Sequence, residues 1–280
     1  MRAYRIAYDG TPFYGFQRQP DVPTVEDAIL NALEDLDVIA PDEDIPDGYA
    51  AAGRTDAGVS ASRQTIAFDA PDWLTPRAFN GSLPPTVRAW ASVDVSETFH
   101  ATHHASRREY TYHLYAPVDA TVEADTTTVD DDRFHAALEA LSGTHDVYNL
   151  TSDDRNTERS LSLSATREDE YLVVTVRAGG FCRELVRRLV SLAHAVGTGD
   201  ATLEKVDRTL APEPLPGHEG IPSAPPEPLV LTDVAYPDLS FEADPEAAAS
   251  ACEVFGRHRI ERETAARVSR TIHEVVDKTF

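Results

Sequence analysis

The sequence predicts an α+β fold, and three features of its hydrophobic pattern lead to this prediction. Short stretches in which apolar and polar residues alternate occur in both halves of the chain, and this period is typical of half-buried strands. Between them lie stretches with apolar residues three and four positions apart, which is the helical spacing. After Pro237 only the helical spacing remains. We therefore expect a body of strands and helices followed by a C-terminal helical tail.

The first half of the chain begins with a strand candidate from Ala3 to Tyr8. Thr24 then has the features of a helix N-cap, because Asp27 follows three positions later at the start of an apolar repeat. The apolar face of this helix is formed by Val25, Ala28, Ile29, Ala32, Leu33 and Leu36. Two further strands are predicted in this half, over residues 64–68 and 87–93.

The second half repeats this scheme of strands and helices. Tyr110, Tyr112 and Leu114 alternate on a predicted strand, and a short helix is expected from Phe134 to Leu141. Residues 161–176 predict a hairpin, because two alternating stretches flank the polar sequence Arg-Glu-Asp-Glu. From this pattern alone we expect a mixed α+β fold in two similar halves.

A longer helix is predicted from Phe181 to Val196, and Gly197 is expected to end it. Seven prolines between Ala211 and Pro228 exclude a regular helix there and predict a loop. In the tail, Asp244-Pro245 is a helix start, and Gly256 is expected to divide the helical region in two. Four apolar residues recur further on at helical spacing: Ala265, Val268, Ile272 and Val275. This tail either packs on its own domain or contacts a partner subunit or RNA.

The chain is strongly acidic, with 48 acidic residues against 25 basic ones and a formal net charge of −23. Lys205 and Lys278 are the only lysines, so 23 of the basic residues are arginines. This composition indicates adaptation to an extremely salt-rich cytoplasm, because at molar salt the Debye length is only ~3 Å and distant like charges stop repelling. Charge alone favours an acidic enzyme without an RNA partner. Arginine nevertheless pairs bidentately with phosphate, so Arg107–Arg108 and Arg187–Arg188 remain candidate RNA contacts.

Cysteine and histidine usage gives no sign of a metal site or a disulfide framework. Cys182 and Cys252 are the only cysteines, and we interpret both as free thiols. His100, His103 and His104 are close in sequence, but the segment supplies no cysteine to complete a zinc site. The chain opens without the apolar region of a signal peptide and has no run long enough for a membrane span. We expect a soluble cytoplasmic protein.

The loop at residues 51–61 carries a carboxylate and a guanidinium, Asp56 and Arg54, between two glycines. Gly53 and Gly58 can take positive φ without steric cost, so the loop can turn sharply and present Asp56. From the local pattern alone, the ordinary interpretation of Asp56 is an Asx-type cap of the turn. The wider sequence therefore has to decide between a structural and a chemical role.

Further motifs occur in order along the chain. They are YDGTPFYGFQRQ at residues 8–19, FHA at 99–101, RREYTY at 107–112, Phe181 followed by Leu185-Val186-Arg187, and a closing strand from Pro225 to Tyr236. Together with GRTDAGV at residues 53–59, they resemble the tRNA pseudouridine synthase A family over roughly residues 1–237. In this family the aspartate of the glycine-bracketed loop is the essential residue.

The resemblance implies two ferredoxin-like (RRM-like) α/β domains, at residues 1–104 and 105–240, whose sheets join across a central cleft. Residues 241–280 would form a helical extension. The implied activity is the isomerisation of uridine to pseudouridine in tRNA, at positions 38, 39 and 40 of the anticodon stem-loop. The implied assembly is a homodimer in which one tRNA spans both subunits. No metal and no cofactor are expected, because the isomerisation involves neither redox change nor phosphoryl transfer.

The resemblance also implies roles for four residues. Asp56 acts as nucleophile or base, and Arg187 keeps its carboxylate ionised and oriented. Tyr110 stacks on the flipped uracil, although an unmatched tyrosine of this strand would be interpreted as a core aromatic, like Tyr112. Arg54 either orients Asp56 or binds an RNA phosphate.

Several positions depart from the family pattern, and two other functions stay open. Thr102, Ser60, Arg183-Glu184 and Ser191 stand where the family usually has other residues, which affects the expected RNA contacts and not the reaction. The first alternative is a catalytically silent tRNA-binding protein or chaperone. The second is a glycoside hydrolase, which would need a second positioned carboxylate, and Asp9 is its only candidate.

Overall fold

The computed structural model describes residues 1–39, 43–118 and 128–277 of the chain. The strands are β1 (Arg2–Tyr8), β2 (Ala50–Ala51), β3 (Ser60–Phe68), β4 (Val87–Asp94), β5 (Arg107–Tyr115), β6 (Gly143–Asp146), β7 (Glu158–Glu168), β8 (Tyr171–Ala178), β9 (Leu229–Ala235) and β10 (Glu242–Ala243). The helices are α1 (Val25–Asp35), α2 (Pro76–Phe79), α3 (Asp131–Leu141), α4 (Leu185–Thr198), α5 (Leu203–Leu210) and α6 (Pro245–Asp277). The α+β prediction is confirmed. None of the helices in these residues is long and apolar enough to cross a membrane.

The described strands form one sheet in the order β10-β4-β1-β3-β9-β5-β8-β7-β6, with β2 also paired to β3. Neighbouring strands are antiparallel except β3 and β9, which run parallel with Ser60 opposite Val230 and Ala61 opposite Leu231. On its other side β9 pairs with β5. The last long strand of the chain therefore joins the strands of the first half to those of the second half.

The structure confirms the helix cap and the hairpin that the local sequence predicts. Thr24 caps α1 by accepting a hydrogen bond from the Asp27 backbone amide. The predicted hairpin forms from β7 and β8 with a two-residue turn, in which Asp169 has a φ of 50°. Helices pack against the sheet, with α3 and α4 in contact with each other and α6 lying against β4. The buried face of β5 includes Tyr112, whose ring is 2% exposed, which confirms its interpretation as a core aromatic.

The predicted end of the helix at Gly197 is wrong, because α4 continues through this residue to Thr198. Gly197 instead permits close packing, since an added Cβ would lie 2.8 Å from Cγ1 of Val129 and 3.3 Å from Cβ of Phe134. The residue that ends α4 is Gly199, which has a φ of 86°. The predicted start of this helix is also too early, because α4 begins at Leu185.

The predicted division of the tail at Gly256 is wrong as well, because α6 is one continuous helix of 33 residues. A single glycine in a helix interior lowers the stability of the helix by about 1 kcal/mol relative to alanine. The other intrahelical hydrogen bonds of a long helix outweigh this loss. Ala247 and Ala251 of α6 are buried, whereas every residue from Arg259 to Ile272 is exposed. The helix therefore rests on the body with its first turns and extends beyond it.

Candidate active site

The loop that carries Asp56 lies directly before β3, at the place where β3 and β9 join the two halves of the sheet. Thr55 fixes the loop to the body, because its Oγ1 lies 2.8 Å from the buried Tyr8 hydroxyl and its carbonyl accepts a hydrogen bond from the Phe16 amide. Gly58 has a φ of 80°, as expected for the turn, whereas Gly53 does not use the left-handed region. The loop is thus held on one side and leaves the Asp56 side chain 37% exposed.

A cavity of about 760 Å³ opens beside this loop. All four residues predicted as site residues line it: Arg54, Asp56, Tyr110 and Arg187. They come from the loop before β3, from β5 and from α4, so the cavity lies between the two halves of the chain. This volume is in the usual range for a small-ligand pocket.

Asp56 and Arg187 form an ion pair, with 3.3 Å between Oδ2 and Nη1. Arg187 is held in place by a second bond, because its Nε donates to the carbonyl of Ala224 at 2.6 Å. Burial raises the pKa of the Asp56 carboxyl above its ordinary value, the Arg187 guanidinium lowers it, and the nearby charge of Glu184 raises it. The arginine thus opposes the cost of holding an ionised carboxylate in a half-buried cavity.

Tyr110 contributes a ring and a hydroxyl to the cavity wall. Its ring is 8% exposed and contacts Phe181 edge to face, with 5.1 Å between the ring centroids. Burial and the Asp56 charge raise the pKa of its hydroxyl far above the ordinary value, so the hydroxyl stays protonated. Among the described residues the hydroxyl has no hydrogen-bond partner, which leaves it available to a ligand in the cavity.

Arg54 is not brought to Asp56. Its side chain is exposed and forms no hydrogen bond or ion pair with any described residue. Arg54 therefore does not orient Asp56 in this structure. Its guanidinium is free to bind an anion from outside the chain, such as a phosphate.

The expectation that Arg108 contacts RNA is wrong. Arg108 is 8% exposed, and its guanidinium donates to the carbonyls of Ala52, Thr102 and Gly179. A buried guanidinium that satisfies three backbone carbonyls has a structural role. It ties the start of the Asp56 loop, at Ala52, to the second half of the sheet. An Arg-Arg pair in a sequence carries no signal that one of the two is buried.

Comparisons with known proteins identify the family of this chain. A family model described as tRNA pseudouridine synthase matches residues 137–237. The tRNA pseudouridine synthase A of Haloarcula marismortui is 60% identical over 269 residues, covering 96% of this chain and 98% of that protein. That of Natronomonas pharaonis is 55% identical, covering 96% and 97%, and that of Methanothrix thermoacetophila is 37% identical, covering 86% and 85%. The chain belongs to the tRNA pseudouridine synthase A family.

The sequence of this family member departs from the usual pattern at Glu184, and the structure gives that residue a place in the site. Glu184 precedes α4 in the left-handed conformation, with a φ of 56°. Its carboxylate bonds to Nη2 of Arg188 at 2.8 Å and lies 3.5 Å from Nη1 of Arg187. The Arg187 guanidinium is therefore shared between two carboxylates, Asp56 and Glu184. The sequence around Glu184 carries no local signal for this contact.

Replacing Glu184 is expected to change the pH dependence of this synthase. The Glu184 charge raises the pKa of Asp56, so Glu184→Gln removes a raising influence and frees Arg187 to serve Asp56 alone. The predicted role of Asp56 needs the ionised carboxylate, so the acidic limb of the kcat/KM profile should move to lower pH. The measurement is a pH profile of pseudouridine formation in molar KCl.

Asp153→Asn is the matched control for that profile. Asp153 also lines the cavity, but its carboxylate pairs with Arg183 and not with Arg187. The control should leave the acidic limb in place. A shift to higher pH in Glu184→Gln, or an equal shift in both variants, would contradict the assigned contact.

No group of three or more His, Cys, Asp or Glu residues that could hold a metal ion occurs within residues 1–39, 43–118 and 128–277. The His100 and His103 rings lie 4.1 Å apart, and His104 Nδ1 accepts a hydrogen bond from the His100 amide. Asp9, the second carboxylate that the hydrolase alternative needs, does not line the cavity. It is bonded to Thr11 and Arg262 instead.

Proposed function

We propose that this enzyme isomerises uridine to pseudouridine in the anticodon stem-loop of tRNA, at positions 38, 39 and 40, with Asp56 as its reactive carboxylate. The activity follows from membership of the family. The observation that supports the assignment to Asp56 is its pairing with Arg187 in a cavity between the two halves of the chain. An ionised, half-buried carboxylate in such a cavity is what the reaction requires.

The reaction breaks the N1–C1′ bond of uridine and forms a C5–C1′ bond. Asp56 either attacks C1′ to form an ester or removes the 2′ proton to form a glycal, and both routes release uracil that can turn in the cavity. When C5 joins C1′, the first route breaks the ester and frees the Asp56 carboxylate, and in the second route Asp56 returns its proton to C2′. The proton on C5 then leaves and N1 gains a proton, so the atoms balance and no oxidant is needed. Arg187 serves both routes because it keeps Asp56 ionised.

Tyr110 and Arg54 are proposed to hold the substrate. A nucleotide inside a stem must be turned out of its stack before its C1′ is accessible, and a flipped base is stabilised by a flat partner. The Tyr110 ring provides this partner, and its protonated hydroxyl can donate a hydrogen bond to uracil. Arg54 is exposed at the cavity wall and is proposed to bind a phosphate.

We also propose that the body consists of two ferredoxin-like domains at residues 1–104 and 105–240, with residues 241–280 as an extension. The strand orders support this division. The first half has the order β4-β1-β3-β2, and the second has β9-β5-β8-β7 followed by β6. Each half also places a helix after its first strand and another before its last, as in the β-α-β-β-α-β arrangement.

The enzyme is proposed to act as a homodimer in which one tRNA contacts both subunits. We expect light scattering in molar KCl to give about twice the chain mass of 30.6 kDa at micromolar concentration. A single species of the chain mass that retains full activity would contradict the dimer.

The halophilic character leads to a prediction on salt. At low ionic strength the repulsion within a chain of net charge −23 is unscreened, so unfolding should occur at lower temperature than in molar KCl. Added salt should also screen the long-range repulsion between this chain and the polyanionic tRNA at concentrations that leave the short arginine–phosphate contacts intact. Affinity should therefore rise from low salt to molar KCl, whereas ordinary nucleic-acid binders lose affinity. A monotonic fall over a range in which the protein stays folded would contradict this account.

Mapping the product tests the proposed substrate positions. Unmodified tRNA is incubated with the enzyme, and pseudouridine is located along the chain by a reverse-transcription block after carbodiimide treatment. We expect pseudouridine confined to positions 38 to 40. Binding without any pseudouridine would support the silent tRNA-binding alternative, and modification elsewhere would overturn the proposed positions.

A further inference from the structure

The arginines of this chain differ in whether the protein itself neutralises them. All 23 lie in the described residues, and nearly all form an ion pair or donate to a backbone carbonyl. Three have no such partner within these residues: Arg54, Arg267 and Arg270. In a chain with 48 acidic residues, an arginine without a partner is an exception. Arg54 lines the active-site cavity, so the two on α6 are the ones without an assigned ligand.

Arg267 and Arg270 lie on the exposed part of α6, three positions apart and therefore on one face of the helix. Two arginines that come earlier in α6 form ion pairs with glutamates. Arg257 pairs with Glu253 at 3.0 Å, and Arg259 pairs with Glu263 at 2.8 Å. The contrast is within one helix, so it does not reflect a difference in secondary structure or in general exposure.

Arg262 fixes the position of this part of α6 relative to the active site. Its guanidinium bonds to the carboxylate of Asp9 and lies 3.3 Å from the Thr11 hydroxyl. The segment that holds Asp9 packs on the catalytic loop, because the Gly10 amide donates to the Ser60 hydroxyl at 3.0 Å. With a rise of about 1.5 Å per residue, the Cα atoms of Arg267 and Arg270 lie about 8 and 12 Å further along the helix axis than Arg262.

The local charge is opposite to that of the chain. Residues 257–271 contain five arginines and two glutamates, whereas the whole chain has a net charge of −23. A polyanionic substrate that approaches the cavity is repelled by most of the surface and attracted here. Guanidinium groups without protein partners are also free to form bidentate contacts with phosphate, which remain effective at high salt because they are short.

We propose that the exposed part of α6 is a second tRNA-binding surface, on which Arg267 and Arg270 bind the sugar-phosphate backbone of the substrate outside the stem that enters the cavity. This rests on the proposed function, because it takes tRNA as the substrate. The surface contributes affinity and orientation and has no part in the chemical step.

The opposite side of the same helix segment is apolar. Val268, Ile272 and Val276 are exposed and recur every four positions, roughly opposite to the two arginines at 100° per residue. A second copy of the chain could cover this side. Since the arginines point elsewhere, a protein contact there would leave them free for RNA, and the test distinguishes the two occupants.

The test compares two double variants that remove the same charge from the same helix. Arg267→Gln with Arg270→Gln removes the unpaired arginines, and Arg257→Gln with Arg259→Gln removes the paired ones. Affinity for unmodified tRNA is measured by fluorescence anisotropy in molar KCl, and kcat and KM are measured by pseudouridine formation. We expect the first variant to raise Kd and KM about tenfold with kcat unchanged, and the second to change them less than about twofold.

Each outcome decides the proposal. Equal effects of the two variants, or no effect of the first, would overturn it. A change in mass by light scattering that accompanies the rise in Kd would identify the segment as a subunit interface and would also overturn it. If the wild type binds tRNA but forms no pseudouridine, the proposed function fails, and the anisotropy comparison still decides the role of α6.

Discussion

Asp56→Asn is expected to abolish pseudouridine formation while the protein stays folded and still binds tRNA. The substitution keeps the shape of the side chain and removes the only group assigned to attack C1′ or to take the 2′ proton. Loss of acid-base catalysis costs ~10²–10⁴-fold in rate, and loss of a nucleophile costs more. The measurement is single-turnover product formation with saturating enzyme.

The fold should tolerate this change because Asp56 contributes little to packing. Its carboxylate bonds only to Arg187 among the described residues, and Arg187 keeps the Ala224 carbonyl and Glu184 as partners. The thermal midpoint and the Kd for tRNA should stay near wild-type values. Residual turnover above about one per cent of wild type would remove Asp56 from the central role.

Gly10→Ala is expected to destabilise the protein and to inactivate what remains folded. An added Cβ would lie 2.1 Å from the carbonyl oxygen and 2.4 Å from the carbonyl carbon of Val59. Both are backbone atoms, so no side chain can move aside, and the catalytic loop must separate from the segment after β1. We expect a loss of about 3 kcal/mol in the free energy of unfolding, at the upper end for overpacking, measured by urea unfolding in molar KCl.

Gly256→Ala is the control for that substitution. Gly256 lies inside α6, and an added Cβ would meet nothing within 4 Å. Replacing a helix-interior glycine by alanine stabilises by about 1 kcal/mol. The two variants therefore change stability in opposite directions. Wild-type stability and activity in Gly10→Ala would show that the two loops do not touch as described.

Sequence patterns that span only a few residues were sufficient to predict most caps, turns and helix starts. The N-cap at Thr24, the hairpin of β7 and β8 and the start of α6 after Asp244 follow from turn and cap chemistry, and the structure confirms them. The family motifs were sufficient to predict part of the cavity wall, since the four residues that they single out all line one cavity. Their proposed roles remain predictions.

Features that depend on tertiary contacts were not accessible from the sequence. Gly197 has the sequence signature of a helix end, but it lies inside α4, and its actual role is to leave room for Val129, which packs against it. The Arg107-Arg108 pair makes Arg108 a candidate RNA contact, but burial directs its guanidinium to backbone carbonyls. The parallel pairing of β3 with β9 joins residues about 170 positions apart, and no local period reports such a pairing.

We propose that this chain isomerises uridine in tRNA through Asp56, and release of tritium from uracil C5 reports on that reaction itself. Unmodified tRNA carrying tritium at uracil C5 is incubated in molar KCl with wild type and with Asp56→Asn. We expect the wild type to release tritium without free uracil or strand cleavage, and the variant to release no tritium. Free uracil would indicate a hydrolase, and equal release by both proteins would contradict the assignment of Asp56.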